Sequence, residues 1–416
     1  MNMKRLEHYW EKYYPQFVIT SYWLLGLTNN FAYVIMLSAA HDILSDGNSN
    51  STDLPKHNTT NRFDCNELST GAILLADILP GIAIKLVAPF FVHKIKYWKR
   101  VVVVIITNSC SFLLVSLTPS NLKPLIFLGV MAASFSSSFG EITFLSMSTL
   151  YIRTLSITGW ASGTGAAGLI GSFGYAALTS IGLTPSTTIL LMMFIPVLMA
   201  LSYVALPTVD FAKSRVYSEL DTDSEERDTN EPNVENNLGS VNHGSLRDKF
   251  KLLPPLLKFM IPLFLVYFAE YFINQGLFEL LYFKNAFIKQ HKLQYRWYNV
   301  MYQLAVFVSR SSVKWIKIKF LPIFPILQIL NIFIFLSHIY LDYFPSIWIV
   351  FLLIFWEGLL GGGCYVNSFN QISIEIPKNV REFSIAVASI ADSFGIALAG
   401  FIAIPVHNSI CSYGNK

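Results

Sequence analysis

Apolar residues in this chain come mostly as unbroken runs of bilayer length separated by short polar stretches. The runs lie near 16–44, 69–92, 101–118, 124–149, 158–182, 186–206, 255–283, 295–313, 320–342, 345–371 and 383–407. A helix of about 20 apolar residues matches the hydrocarbon thickness of a bilayer, and a helix satisfies its own backbone where no water is present. The pattern predicts an all-α polytopic membrane protein of eleven transmembrane helices.

One long polar interruption breaks the series. Residues 207–254 include Asp221-Thr222-Asp223-Ser224-Glu225-Glu226 and carry too few apolar side chains to fold alone. The chain therefore reads as a six-helix bundle over 1–206 with a luminal loop at 45–68, a disordered cytoplasmic linker over 207–254, and a five-helix bundle over 255–416. This six-plus-five layout is major-facilitator-like with one helix lacking. A weak internal echo agrees with a parallel repeat, since Ser172-Phe173-Gly174 in the fifth run resembles Ser393-Phe394-Gly395 in the eleventh.

Composition supports lipid as the solvent: 13% of residues are charged, against about 25% in soluble domains. The net charge of +4 is spread over short clusters rather than one basic face, so no nucleic-acid partner is expected. Cys65, Cys110, Cys364 and Cys411 form no CxxC pair and no metal-ligand spacing to histidine, so neither a metal site nor a cofactor is expected. The first apolar run is too long for a cleavable signal and reads as an uncleaved anchor.

Orientation follows from Lys and Arg, which accumulate on the cytoplasmic side. With a cytoplasmic N-terminus, 19 of the 30 basic residues fall in inside segments, and the C-terminus is luminal. The sequons Asn50-Ser51-Thr52 and Asn58-Thr59-Thr60 fall in the first outside loop, which makes Asn50 and Asn58 candidate glycosylation sites. In the linker, Tyr217-Ser218-Glu219-Leu220 fits a sorting signal of the kind read by clathrin adaptors.

Ionisable side chains within a span cost roughly 2.5 kcal/mol or more each and tend to meet a partner or a hydrated cavity. The candidates are Asp77, Lys85, Glu141, Glu270, Glu279, Arg310, Glu357 and Asp392. Glu279 and Arg310 lie near span ends, where a long side chain can reach the headgroups without any function. Asp77 and Lys85 are separated by about 12 Å along a helix, too far for a direct pair. Asn30 at mid-depth is a candidate partner for Glu141, and Asn274 with Gln275 extends the polar face that Glu270 begins. Gly163-Thr164-Gly165-Ala166-Ala167-Gly168 is a formal GxGxxG, but it lies inside an apolar run with no preceding strand, so it reads as a close helix contact. Gly361-Gly362-Gly363 reads as a bend or unwound turn. No P-loop, HExxH or GxSxG set occurs, and no enzyme is expected.

Longer motifs carry a family resemblance. Leu74-Leu75-Ala76-Asp77-Ile78-Leu79-Pro80, Phe139-Gly140-Glu141, Gly159-Trp160-Ala161-Ser162-Gly163, Phe268-Ala269-Glu270-Tyr271-Phe272-Ile273-Asn274-Gln275-Gly276, Tyr295-Arg296-Trp297-Tyr298, Ser309-Arg310-Ser311-Ser312 and Glu357-Gly358-Leu359-Leu360-Gly361 resemble the battenin family. The resemblance implies a lysosomal or late-endosomal transporter with a major-facilitator-like fold, exporting glycerophosphodiesters from the lumen. In such a carrier Lys85 or Arg310 would attract the phosphodiester anion, while Glu270, Asn274 and Gln275 would bond polyol hydroxyls. Asn30, Asp77, Glu141, Glu357 and Asp392 complete the expected site, with protons as the candidate coupling ion. Relatives can end in a prenylatable Cys-a-a-X box, whereas Cys411 is followed by five residues. The same topology puts Cys65 and Cys411 on one side, leaving a disulfide between them open. Two alternatives also stay open: a carrier of nucleosides or cationic amino acids, and a non-transporting trafficking scaffold.

Overall fold

The structure, a computed structural model, describes residues 3–44, 70–88, 92, 95–119, 121–148, 150–207, 253–312, 316–376 and 378–414. Asn50, Asn58 and the rest of the expected luminal loop lie outside the described residues, as do Cys65, Tyr217, Leu220 and most of the linker. Cys411 is disulfide-bonded, while Cys110 and Cys364 are free thiols.

The described chain is helical in long segments. In the first half these are α1 (Met3–Ser38), the short α2 (Ala40–Leu44), α3 (Thr70–Val87), α4 (Tyr97–Leu117), α5 (Lys123–Ser148), α6 (Arg153–Ser180), and α7 (Pro185–Leu191) continued by α8 (Phe194–Ala205). The second half holds α9 (Leu253–Phe272), which runs on through a π-helical turn at Ile273–Leu277 and a 3-10 turn at Phe278–Leu280. It is followed by α10 (His291–Ser311), α11 (Ile323–Leu341), α12 (Ile347–Glu375) and α13 (Lys378–Gly414). Counting α2 with α1, α7 with α8, and α9 with its two turns, this is the series of eleven expected from the apolar runs.

Eight of these segments are long and apolar enough to cross a bilayer by length and composition. The other three are the more polar α1, α6 and α10, and α6 packs against both α1 and α10. Their polarity has a structural use. Helix α10 buries Gln294, Tyr295, Arg296, Asn299 and Ser309, and α6 offers Gly and Ser where α1 crosses it. An inward polar face lowers hydropathy without exposing those groups to lipid.

Successive long helices run antiparallel, so one end of the molecule collects Asp42, Thr70, Leu122, Glu279, His291, Tyr343 and Ile410, and the other collects Trp98, Tyr151, Pro207, Lys258, Phe320 and Glu375. Helix α6 packs along α1 in the first half, and α13 packs along α9 in the second. Across the seam between halves, α6 meets α10 and α3 meets α13. These contacts relate α1, α3 and α6 to α9, α10 and α13, each six spans later, as a parallel repeat requires.

Glycines make the tight pairs. A Cβ added at Gly163 would lie 2.0 Å from the Trp23 carbonyl oxygen, and one at Gly159 would lie 2.6 Å from that of Ile19. In the second half, a Cβ added at Gly395 would meet the Phe264 carbonyl oxygen at 2.4 Å. The GxGxxG run is therefore a helix contact, as its setting in an apolar run predicts. Gly361-Gly362-Gly363 differs from expectation. It forms no unwound turn, because α12 is continuous from Ile347 to Glu375. Its missing side chains instead admit the Glu270 carboxylate, Ser309 and Phe324. The irregular backbone lies in the segment after α9, where the sequence reads as helix.

The contrast between two neighbouring glycines tests this packing. Gly163→Ala should lose about 1–3 kcal/mol through overpacking, whereas Gly165→Ala, whose Cβ would come no closer than 3.7 Å to the Phe307 ring, should be nearly neutral. Thermal melting in detergent reads the difference, and identical melting would contradict the close approach of α6 to α1.

Candidate functional site

The charged side chains within the spans gather at the seam between halves. Lys85 on α3 pairs with Glu141 on α5 at 3.1 Å. Their side chains keep 19% and 31% exposure, so the pair borders accessible space instead of being sealed among helices. Asp392 on α13 and Tyr365 on α12, both from the other half, lie within electrostatic reach of Lys85. Asp392 also accepts a hydrogen bond from Ser393 Oγ at 2.9 Å.

Arg310, near the end of α10, is held by aromatic groups. Its guanidinium stacks 4.4 Å from the Tyr365 ring centroid, and Nη2 donates to the Tyr267 hydroxyl at 3.1 Å. A π-face and a phenol oxygen support a cation without neutralising it, and Nε has no hydrogen-bond partner. Glu270 on α9 is buried, interacts electrostatically with Arg310 and Asp392, and rests against Gly361, where a Cβ would fall 2.3 Å from its carboxylate. Glu357, one turn earlier on α12, is buried beside Glu270, and neither of its carboxylate oxygens has a partner. Tyr267 stacks on Tyr271, whose hydroxyl meets that of Tyr33 at 3.3 Å across the seam.

Lys85, Glu141, Glu270, Arg310, Glu357 and Asp392 are thus brought together. The other candidates are placed differently. Asp77 is buried on α3, with both oxygens unpartnered and Tyr33 nearby. Asn30 accepts from Ser137 Oγ at 3.0 Å, one turn before Glu141 on α5. Asn274 and Gln275 sit in the π-helical turn, whose extra residue rotates them relative to Glu270. Gln275 accepts from the Tyr295 hydroxyl, whereas Asn274 Oδ1 is buried without a partner.

A second set of contacts, absent from the sequence expectation, ties the halves at one end. Asp42 receives two hydrogen bonds from Arg296, at 2.7 and 2.9 Å, and a third from the Tyr175 hydroxyl at 2.8 Å. Both partners of the ion pair are under 10% exposed, at 8% and 4% for the side chains. Arg296 also lies 5.4 Å from the Tyr175 ring centroid. Beside it, Glu279 Oε2 accepts from both the amide and the hydroxyl of Thr70, with His407 Nδ1 at 3.6 Å. The Tyr295 hydroxyl donates to the Leu37 carbonyl. Glu279 therefore does not reach out to headgroups; the 3-10 turn carries it into the protein. Hydrogen bonds and ion pairs that join the halves at this end are thus several, and Tyr33 with Tyr271 adds one near the middle. At the opposite end Lys258 pairs with Glu375 within the second half.

In the sequence Asp42 closes the first apolar run and Arg296 opens the eighth. An acid at the end of an apolar run is the local signal, but its partner lies on a distant helix.

The CLN3 protein family matches residues 20–413. Battenin of Canis lupus familiaris is 46% identical over 402 residues, covering 94% of this chain and 91% of that protein. Among solved structures, a D-xylose–proton symporter superposes with a TM-score of 0.61 at 10% identity, over 96% of this chain and 95% of that one. A bacterial homolog of the human lysosomal transporter Spinster, inward-facing and occupied, superposes with a TM-score of 0.55 at 14% identity, over 93% of this chain and 81% of that one. The fold is that of a major-facilitator-like membrane transporter, and the chain belongs to the CLN3 protein family, together with battenin.

Proposed function

We propose that this chain exports glycerophosphodiesters from the lysosomal lumen by alternating access, with the Lys85, Glu141, Asp392, Glu270 and Arg310 cluster as its solute site. The observation that carries this reading is chemical. A cluster at the seam holds two cations, one of them braced by aromatic groups with an unused donor, beside buried carboxylates with unused acceptors. A phosphodiester takes the cations, and glycerol hydroxyls take the carboxylates and Tyr267. Buried polar groups without protein partners are costly, and a solute or water that completes them removes that cost.

Polar ties at one end and accessible charge near the middle correspond to a carrier closed at the Asp42–Arg296 end. The basic-residue bias makes that end luminal, so this would be the cytoplasm-facing state. Breaking Asp42–Arg296 and Thr70–Glu279 would then admit solute from the lumen. A buried carboxylate such as Glu270 or Glu357 is suited to carry a proton with the solute.

Flux of labelled glycerophosphocholine or glycerophosphoinositol in proteoliposomes tests the site. Lys85→Ala, Arg310→Ala and Glu270→Gln should each lower flux by roughly 10-fold or more, since a charge-assisted bond contributes about 1.5–3 kcal/mol. Gly361→Ala should act similarly, because its methyl displaces the Glu270 carboxylate. Normal flux in all four variants would remove the assignment.

The closed end has its own test. Arg296→Gln leaves Asp42 buried without its cation and should cost about 3–5 kcal/mol. Adding Asp42→Asn to that variant should restore part of the loss in a thermal melt, and a purely additive double variant would argue against direct coupling.

A further inference from the structure

A cleft of about 1010 Å³ opens between α6 and α10, on the flank of the seam rather than at its centre. Its walls are apolar and aromatic, including Ile170, Phe173, Trp297, Val300 and Phe351. Phe173 of the first half meets Trp297 of the second edge to face at 6.1 Å, and Phe287 stacks on Trp348 at 5.1 Å. Tryptophans at helix ends mark the level of the membrane interface. The floor of the cleft therefore lies at acyl-chain depth and its mouth at headgroup depth. Ile170, Phe173, Phe287 and Trp348 are exposed, so the opening faces the bilayer.

An apolar wall offers water none of the polar partners that order it, and left uncovered it forfeits dispersion contacts. In a bilayer the material at hand is a lipid tail. Tail burial alone gives no preference, because a lipid tail gains little on leaving other lipid tails. Selectivity must come from the mouth, where Lys289 stands exposed and its carbonyl is held by the Tyr282 hydroxyl at 2.9 Å. Between Leu281 and Tyr295 the chain carries Lys284, Lys289 and Lys292 and no carboxylate. Neither Lys284 nor Lys289 makes an ion pair among the described residues.

We infer that this cleft is a binding site for an anionic phospholipid of the surrounding leaflet, its acyl chain between α6 and α10 and its phosphate on Lys289. The site is separate from the polar cluster at the seam and does not depend on what the carrier moves. Because its two walls belong to different halves, the lipid would bridge them.

Native mass spectrometry of the full chain, offered equal phosphatidylglycerol and phosphatidylcholine with identical tails, tests the inference. Wild type should retain phosphatidylglycerol about five-fold better, the effect of one lysine near a membrane surface. Lys289→Glu should abolish that preference, and Ile170→Trp, which fills the cleft from an exposed position, should lower retention of both lipids. A photoreactive tail on phosphatidylglycerol should label wild type within 169–180 and 287–304, which keeps the test decisive if the tryptophan variant folds poorly. Equal retention of the two lipids by wild type, unchanged retention in a folded Ile170→Trp variant, or labelling confined to residues away from 169–180, 287–304 and 348–351 would overturn it.

Discussion

An ionised side chain at bilayer depth persists only where it meets an opposite charge, a hydrogen bond or water, because hydrocarbon offers none of these. In this chain that constraint organises the seam between the two helical halves. Lys85 spans from α3 to Glu141 on α5, and Arg310 leans on the ring of Tyr365. Glu270 occupies the space that Gly361 leaves on α12. The glycines of α6 serve the same arrangement from the other direction. They bring α1 and α6 close enough that the polar faces of α1, α6 and α10 turn inward and the more apolar helices remain for the lipid.

The two polar groupings differ in what they leave undone. At the Asp42 end the acceptors are well supplied: Asp42 takes three hydrogen bonds and Glu279 takes two from Thr70. A buried pair of this kind costs desolvation, and bidentate geometry offsets that cost only while both partners are present. Such a contact favours two discrete states, made or broken. The central grouping is under-supplied, with free acceptors on Glu270 and Glu357 and a free donor on Arg310. In the carrier proposed above, a satisfied latch at one end would hold a state, and unsatisfied groups in the middle would give solute something to bind.

The spans were legible in the sequence because length and hydropathy are local properties, and so were the intramembrane charges, which stand out against apolar neighbours. Their partners were less legible. Nothing local distinguishes Ser137 from Glu141 as the residue that meets Asn30, or marks Asp42 as the mate of Arg296, because the choice depends on which helices cross the seam. Glycine was ambiguous for the same reason. Gly361-Gly362-Gly363 can unwind a helix or let a neighbour approach, and only the position of Glu270 decides between them. The π-helical turn at Ile273–Leu277 has no local sequence signal, because Asn274-Gln275-Gly276 is compatible with a regular helix. It is the packing of Thr70 on Gln275 and Glu279 that accompanies the extra residue.

Relative movement of the two halves about this seam is the central claim, and paired spin-label distances measure it directly. Labels at Leu122 and Tyr343 would report the Asp42 end, and labels at Trp98 and Phe320 the opposite end, all four positions being exposed. Addition of a glycerophosphodiester to reconstituted protein should lengthen distances at the first pair in part of the population while shortening them at the second. Distances that stay fixed at both ends, or change in the same direction, would contradict a rocking carrier.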